Sequence, residues 1–269
     1  MTLALAAPTA IELRLLGGLS LRTTGRAGAA ILAQPKRLAL LAYLATATPR
    51  GFHRRDSLLA LFWPEADQDH ARTSLRKALH LLRQELGPEL IQNRGDEEVG
   101  LAPDRYWCDA VEFEEAVERG RWDAIDLYLG DLLAGFHLSD APGFERWMEE
   151  SRFRLRDCAT RAAWNLTERP RAEAHPNEAV RWARRASGLS PYDEVVFRRL
   201  MTLLTRAGDR AGAVLAYKEF AHRLSTDLEL EPSTETVALV QAIRAQNGRR
   251  LELRIPLARG LRSHSSPTP

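Results

Sequence analysis

The chain has 269 residues, 45% hydrophobic and 28% charged, which suits two domains of ordinary size with real cores. No apolar run approaches the roughly 20 residues that a bilayer-crossing helix needs, and the first residues lack the basic region of a secretory leader. The only two cysteines, Cys108 and Cys158, exclude a disulfide framework or zinc cluster and point to a reducing cytoplasm, while 38 Lys and Arg against 36 Asp and Glu leave a net charge of +2, so any nucleic-acid footprint has to be local.

After nine loose residues, "IELRLLGG" and "LSLRTT" alternate apolar and polar positions around Gly17-Gly18. They read as a short hairpin with Ile11, Leu13 and Leu15 on one face. The period then changes. "PKRLALLAYLAT" sets Leu38, Leu41 and Ala42 at helical spacing behind Pro35. "HRRDSLLALFWP" predicts a second helix opening near Asp56 or Ser57 and stopped by Pro64.

A third helix covers 70–86, ended by Gly87-Pro88. "LIQNRGDEEVGLAP" follows as strand, turn at Arg94-Gly95-Asp96, and strand. Two strands, three helices and a hairpin make a winged helix with an extra small sheet in front. A domain boundary falls near residue 107.

The second half is helical and repeats. Asp123-Ala124-Ile125, Glu178-Ala179-Val180 and Gly212-Ala213-Val214 each open an amphipathic helix. The step from 178 to 212 is the 34-residue period of tetratricopeptide units. Ala179, Ala183, Ala186 and Pro191 form the second helix and closing proline of one unit, and Gly208, Ala213, Tyr217 and Phe220 continue the next. Two to four such units stack into a small α-solenoid. The Ser-, Pro- and Arg-containing stretch after Arg250 reads as a mobile, mildly basic tail. The fold class is therefore mostly α: an N-terminal winged helix with a small β-sheet and wing, then an all-α repeat domain.

The third helix carries the chemistry. Leu75, Leu79, Leu82 and Leu86, with Ala71 and Ala78, form its buried stripe. The opposite face presents Thr73, Lys77, His80 and Gln84, flanked by Arg76 and Arg83 and free of carboxylates. Such a face fits insertion into the DNA major groove, where Arg and Lys meet guanine edges or phosphates. It also fits a solvated basic surface, and the helix alone leaves both readings open. The winged-helix order around it favours DNA. Backbone-phosphate candidates are Lys36 and Arg37 at the first helix start, Arg54 and Arg55 at the second, and Arg94 in the wing. Against the last stands the acidic tip Asp96-Glu97-Glu98.

In the second half, Trp122, Tyr128, Trp147, Trp164, Trp182 and Tyr217 read as packing between helices. Arg181, Arg184, Arg185, Arg198 and Arg199 read as a solvated basic face. There is no Gly-rich phosphate loop, no metal-ligand spacing among the seven histidines and no paired acid and base, so no catalytic residue, metal or cofactor is assigned.

"QPKRLALLAYLA", "RRDSLLALFWPEAD", "ARTSLRKALHLLRQELG" and "DLLAGF", followed by "ASGLSPYDEVVFRRLMTLLTRAGDRAGAVLAYKEFAHRLSTDLELEPSTETVAL", resemble bacterial activators of the antibiotic-regulatory-protein type, abbreviated SARP. The resemblance covers about residues 11–245. It implies an OmpR-type winged-helix DNA-binding domain (10–107), a bacterial transcriptional activator domain (108–247) and a flexible tail (248–269). It implies a transcription regulator, more an activator, that binds direct repeats in double-stranded DNA, contacts RNA polymerase and works in the cytoplasm with the nucleoid, as a homodimer on DNA and without a membrane partner.

Carried over by position, the recognition-helix residues are Thr73, Arg76, Lys77 and His80, with Gln84 at the helix end. The absence of ATPase and receiver modules implies a short member without nucleotide or phospho-aspartate control. The alternative is a repeat-based protein–protein adaptor whose N-terminal domain does not read DNA.

Overall fold

Alternating burial sets the first element. In β1 (Ile11–Arg14) Ile11 and Leu13 enter the core while Arg14 stays outside. β1 pairs antiparallel with β2 (Ser20–Thr23). The computed structural model describes residues 11–23, 31–169 and 175–252. The loose N-terminal residues and residues 253–269 of the expected tail lie outside them, while residues 248–252 of that tail are helical. The chain divides into two compact units, 1–166 and 167–269.

Three helices follow: α1 (Pro35–Thr46), α2 (Arg55–Phe62) and α3 (Gln68–Leu86). Their apolar stripes meet through the buried Leu38, Leu41, Leu58, Phe62, Leu75, Leu79 and Leu82. Between α1 and α2 lies β3 (Phe52–Arg54), a strand the sequence reading took for the approach to a helix. Three residues are too few for an alternation pattern, and β3 exists because it pairs with β5 (Glu98–Leu101). α2 accordingly opens at Arg55, one or two residues before the expected Asp56 or Ser57.

β4 (Ile91–Arg94) and β5 form the wing, in register from Ile91↔Leu101 to Arg94↔Glu98, so the turn falls on 95–97. The sheet order is β3-β5-β4.

The first unit does not stop at residue 107. β6 (Trp107–Cys108) pairs in parallel with β1, completing a β2-β1-β6 sheet. Asp109 opens α4 (Asp109–Glu118), and its buried carboxylate accepts from the backbone N–H groups of Leu15 and Leu16 at 2.8 and 3.0 Å. Burial pushes the Asp109 carboxyl above its ordinary range, against the backbone N–H groups that favour its charged form.

From α5 (Pro142–Thr167), Phe144 and Trp147 join Tyr43 and Phe62, with Tyr43–Trp147 centroids 4.7 Å apart. The buried Glu114 of α4 is paired with both Arg50 and Arg154. The first part of the second half thus shares a core with the winged helix.

The helix expected to open at Asp123-Ala124-Ile125 is a 3-10 segment only, Trp122–Leu127. The chain leaves it to lay residues 128–133 against the first sheet. Gly17 donates to the Asp131 carbonyl at 3.0 Å, and Leu16 bridges Leu132. The backbones come so close that a Cβ on Gly17 would lie 2.5 Å from the Leu129 carbonyl carbon.

The second unit is two helical hairpins: α6 (Pro176–Leu189) with α7 (Glu194–Arg206), and α8 (Arg210–Leu228) with α9 (Thr234–Glu252). Ala179, Ala183, Ala186 and Ala213 are buried, as the repeat spacing requires. Phe197 of α7 and Phe220 of α8 stack at 4.1 Å between ring centroids. Among the described residues no helix is long and apolar enough to cross a membrane.

Candidate nucleic-acid interface

α3 starts two residues before the expected position because Asp67 caps it. One Asp67 carboxylate oxygen accepts from the His70 backbone N–H at 2.9 Å and the other meets the His70 ring nitrogen at 2.6 Å. The stripe of Ala71, Leu75, Ala78, Leu79 and Leu82 is buried, which fixes the helix about its axis. Thr73, Arg76, Lys77, His80 and Gln84 are consequently all exposed. None of them makes an ion pair or side-chain hydrogen bond among the described residues.

The flank of α3 towards the wing is built differently. Arg83, which the helical wheel places beside Arg76, turns inward. Its Nε donates to the Ile91 carbonyl at 3.3 Å and its Nη2 to Asn93 Oδ1 at 2.9 Å. The same Asn93 oxygen accepts from Arg55 Nη2 at 3.0 Å. One carboxamide therefore ties the wing to α3 and to the start of α2. Burial, with Arg83 and Arg76 nearby, pushes the Arg55 guanidinium below its ordinary range.

Beside this strut opens a groove of about 580 Å³, lined by Arg55, Arg72, Arg76 and Asn93 and by Asp96 and Glu97 of the wing. Arg72 was not among the sequence candidates. At 100° per residue it falls with Arg76 and Arg83, so the signal was present. Asn93 and the strut depend on the strand pairing and had no sequence signal.

The remaining candidates are spread around the unit. Lys36 is half-buried at the start of α1, 2.7 Å from Asp140 and 5.5 Å above the Trp63 ring. Arg37 next to it is partly exposed. Arg54 ends β3 and lies 4.0 Å from Asp56 and 3.8 Å from Glu97. Arg94 pairs with Glu98 across the last rung of the wing and stacks over Phe52 at 4.8 Å. The hydrogen bond to Glu98 holds the Arg94 guanidinium above its ordinary range, and holds the Glu98 carboxyl low. Lys36, Arg54 and Arg94 thus each have a carboxylate partner, while Arg72, Arg76 and Lys77 have no ion-pair partner among the described residues.

Among the described residues no three His, Cys, Asp or Glu side chains gather where a metal ion could sit. Cys108 is fully buried and its thiol is pushed up to about 12 by burial, which removes it as a nucleophile.

A family model described as the bacterial transcriptional activator domain matches residues 109–244. That span begins where α4 opens, while the compact division falls at 166. No curated protein matches the chain. Among solved structures, Mycobacterium tuberculosis EmbR in complex with a low affinity phosphopeptide is similar. It matches with a TM-score of 0.60 at 21% identity, covering 88% of this chain and 65% of that one. At that identity the likeness speaks for the fold alone, and this chain spans 65% of the length of the structure it matches.

Proposed function

We propose that this chain, which belongs to the bacterial transcriptional activator domain family and is a transcription regulator of the SARP type, acts by binding double-stranded DNA through α3. The observation that carries the reading is the exposed donor face of α3, where Thr73, Arg76, Lys77, His80 and Gln84 stand without ion-pair partners among the described residues in a winged-helix frame. Lys77 and Arg76 would reach guanine edges, with Thr73, His80 and Gln84 at neighbouring bases or sugar-phosphate. Arg37, Arg54 and Arg55 would position the duplex by its backbone. Lys36 and Arg94 contribute less, because Asp140 lies 2.7 Å from the one and Glu98 is hydrogen-bonded to the other, whereas Arg54 is only loosely paired, at 3.8 and 4.0 Å. Binding at promoter direct repeats as a homodimer and contact with RNA polymerase, as an activator, complete the proposal.

The test is a mobility-shift series on the DNA upstream of the protein's own gene. Affinity should fall steeply with salt, with a slope of about −0.9 per phosphate contact on a log–log plot. No shift at low salt would favour the repeat-based adaptor.

A further inference from the structure

The wing of this protein carries its charge the wrong way round for a phosphate-gripping device. Its turn, 95–97, presents Asp96 and Glu97, both exposed. The turn does not swing free, because the Arg55 backbone N–H donates to the Glu97 carbonyl at 2.8 Å. That bond holds the acidic tip over the start of α2. There the Glu97 carboxylate lies 3.8 Å from Arg54, and Asp96 lines the same groove as Arg55. Across the groove stand Arg72 and Arg76. The tip therefore sits at the level where a backbone phosphate would have to meet Arg54 and Arg55.

Two kinds of DNA contact feel this unequally. Non-specific binding is carried almost wholly by cations neutralising phosphates. Base reading depends on side chains that enter the DNA groove; on α3, Arg76 faces the tip across the pocket, but Thr73, Lys77, His80 and Gln84 do not line it. Carboxylates within a Debye length, about 10 Å at 0.1 M salt, subtract from the first kind far more than from the second.

We propose that Asp96 and Glu97 determine specificity: they stand in for phosphate at Arg54 and Arg55 in the free protein, weakening its grip on random DNA while leaving base reading intact. The inference rests on the DNA-binding reading of α3. Random-sequence DNA has to displace the tip to gain its backbone contacts. A cognate site repays that displacement with base contacts from α3.

The experiment uses the full chain with Asp96→Asn and Glu97→Gln together. Both positions are exposed, and the backbone bond to Glu97 does not involve its side chain. An equal-charge control carries Glu118→Gln and Glu150→Gln, exposed positions on α4 and α5. Affinity is measured against salt on a random-sequence duplex and on a duplex that the wild-type protein enriches from a random pool.

The tip variant should bind the random duplex about 10-fold tighter near 0.1 M salt, with a slope steeper by about 1 per recovered phosphate contact. Its preference for the enriched duplex should fall, while the control behaves like wild type. Equal affinities and slopes for wild type and tip variant would overturn the proposal and leave the DNA reading standing. So would a control that matches the tip variant, since the effect would then be net charge alone. If the folded wild type enriches no sequence and shifts no duplex at low salt, the DNA reading itself fails and takes this inference with it.

Discussion

Two basic regions look alike on paper and differ in space. Arg181, Arg184, Arg185, Arg198 and Arg199 of the repeat unit all have company. Arg181 lies 3.9 Å from Glu178 and Arg184 lies 3.8 Å from Asp209. Arg198 donates to Thr236 at 3.0 Å beside Glu194, and Arg199 reaches Glu168 at 2.8 Å. Arg181 and Arg185 also stack on Trp182 at 4.9 and 5.6 Å. On α3, by contrast, Arg72, Arg76 and Lys77 have no partner among the described residues. Cation count does not separate the regions; cation pairing does. Arginines held by carboxylates and rings are already satisfied, whereas unpaired ones keep their charge for a ligand.

The largest way to break this contrast is to loosen the helix that makes it. Leu79 is 1% exposed in the α3 stripe. Leu79→Ala should cost about 2–5 kcal/mol in denaturant unfolding and abolish the DNA shift at 37 °C. A loss below about 1 kcal/mol would mean that other contacts orient the helix. Next come Arg76→Ala and Lys77→Ala. Each should cost about 1–3 kcal/mol of affinity for an enriched site if its side chain reads a base, with stability unchanged within about 0.5 kcal/mol. If both variants bind as wild type does, the recognition face lies elsewhere.

How far the sequence spoke follows from the same physics. Leucines spaced by three and four announced the buried side of α3, so its outer face was readable from the chain alone. Small residues at repeat spacing did the same for α6 and α8. Partner identity was only half readable. Glu178 and Glu194 precede Arg181 and Arg198 by three and four residues, which is a helical neighbourhood. Lys36 with Asp140 and Arg94 with Glu98 needed the folded chain or the wing register.

Short elements were the weakest signal. β3 and β6 are too brief to show alternation and exist because a partner strand is there. The 3-10 segment at 122–127 has a helix-opening pattern, but docking of the following residues on β1's sheet overrode it.

A smaller effect tests the repeat side. Arg199→Ala removes an exposed pair with Glu168, so it should change stability by about 0–1 kcal/mol and leave DNA affinity where it was. A DNA defect as large as that of Lys77→Ala would erase the distinction between paired and unpaired cations.

The smallest expected effect is a pH dependence at the start of α3, where Asp67 and His70 pair and cap the helix. Hydrogen bonding to Asp67 raises the exposed His70 imidazole above its ordinary 6.5, and the bonds from His70 hold the Asp67 carboxyl below its ordinary 3.8. The raised imidazole stabilises the fold fully below 6.5, and that contribution drains away as pH rises through the higher folded value. The lowered carboxyl stabilises fully above 3.8 and loses its contribution as pH falls through the lower folded value. The cap is therefore strongest between those two ordinary values. The denaturation-midpoint gap between wild type and His70→Ala should be widest there and narrow as pH rises. A gap that stays flat from about pH 4 to about pH 9 would show that Asp67 caps α3 through its backbone bond alone.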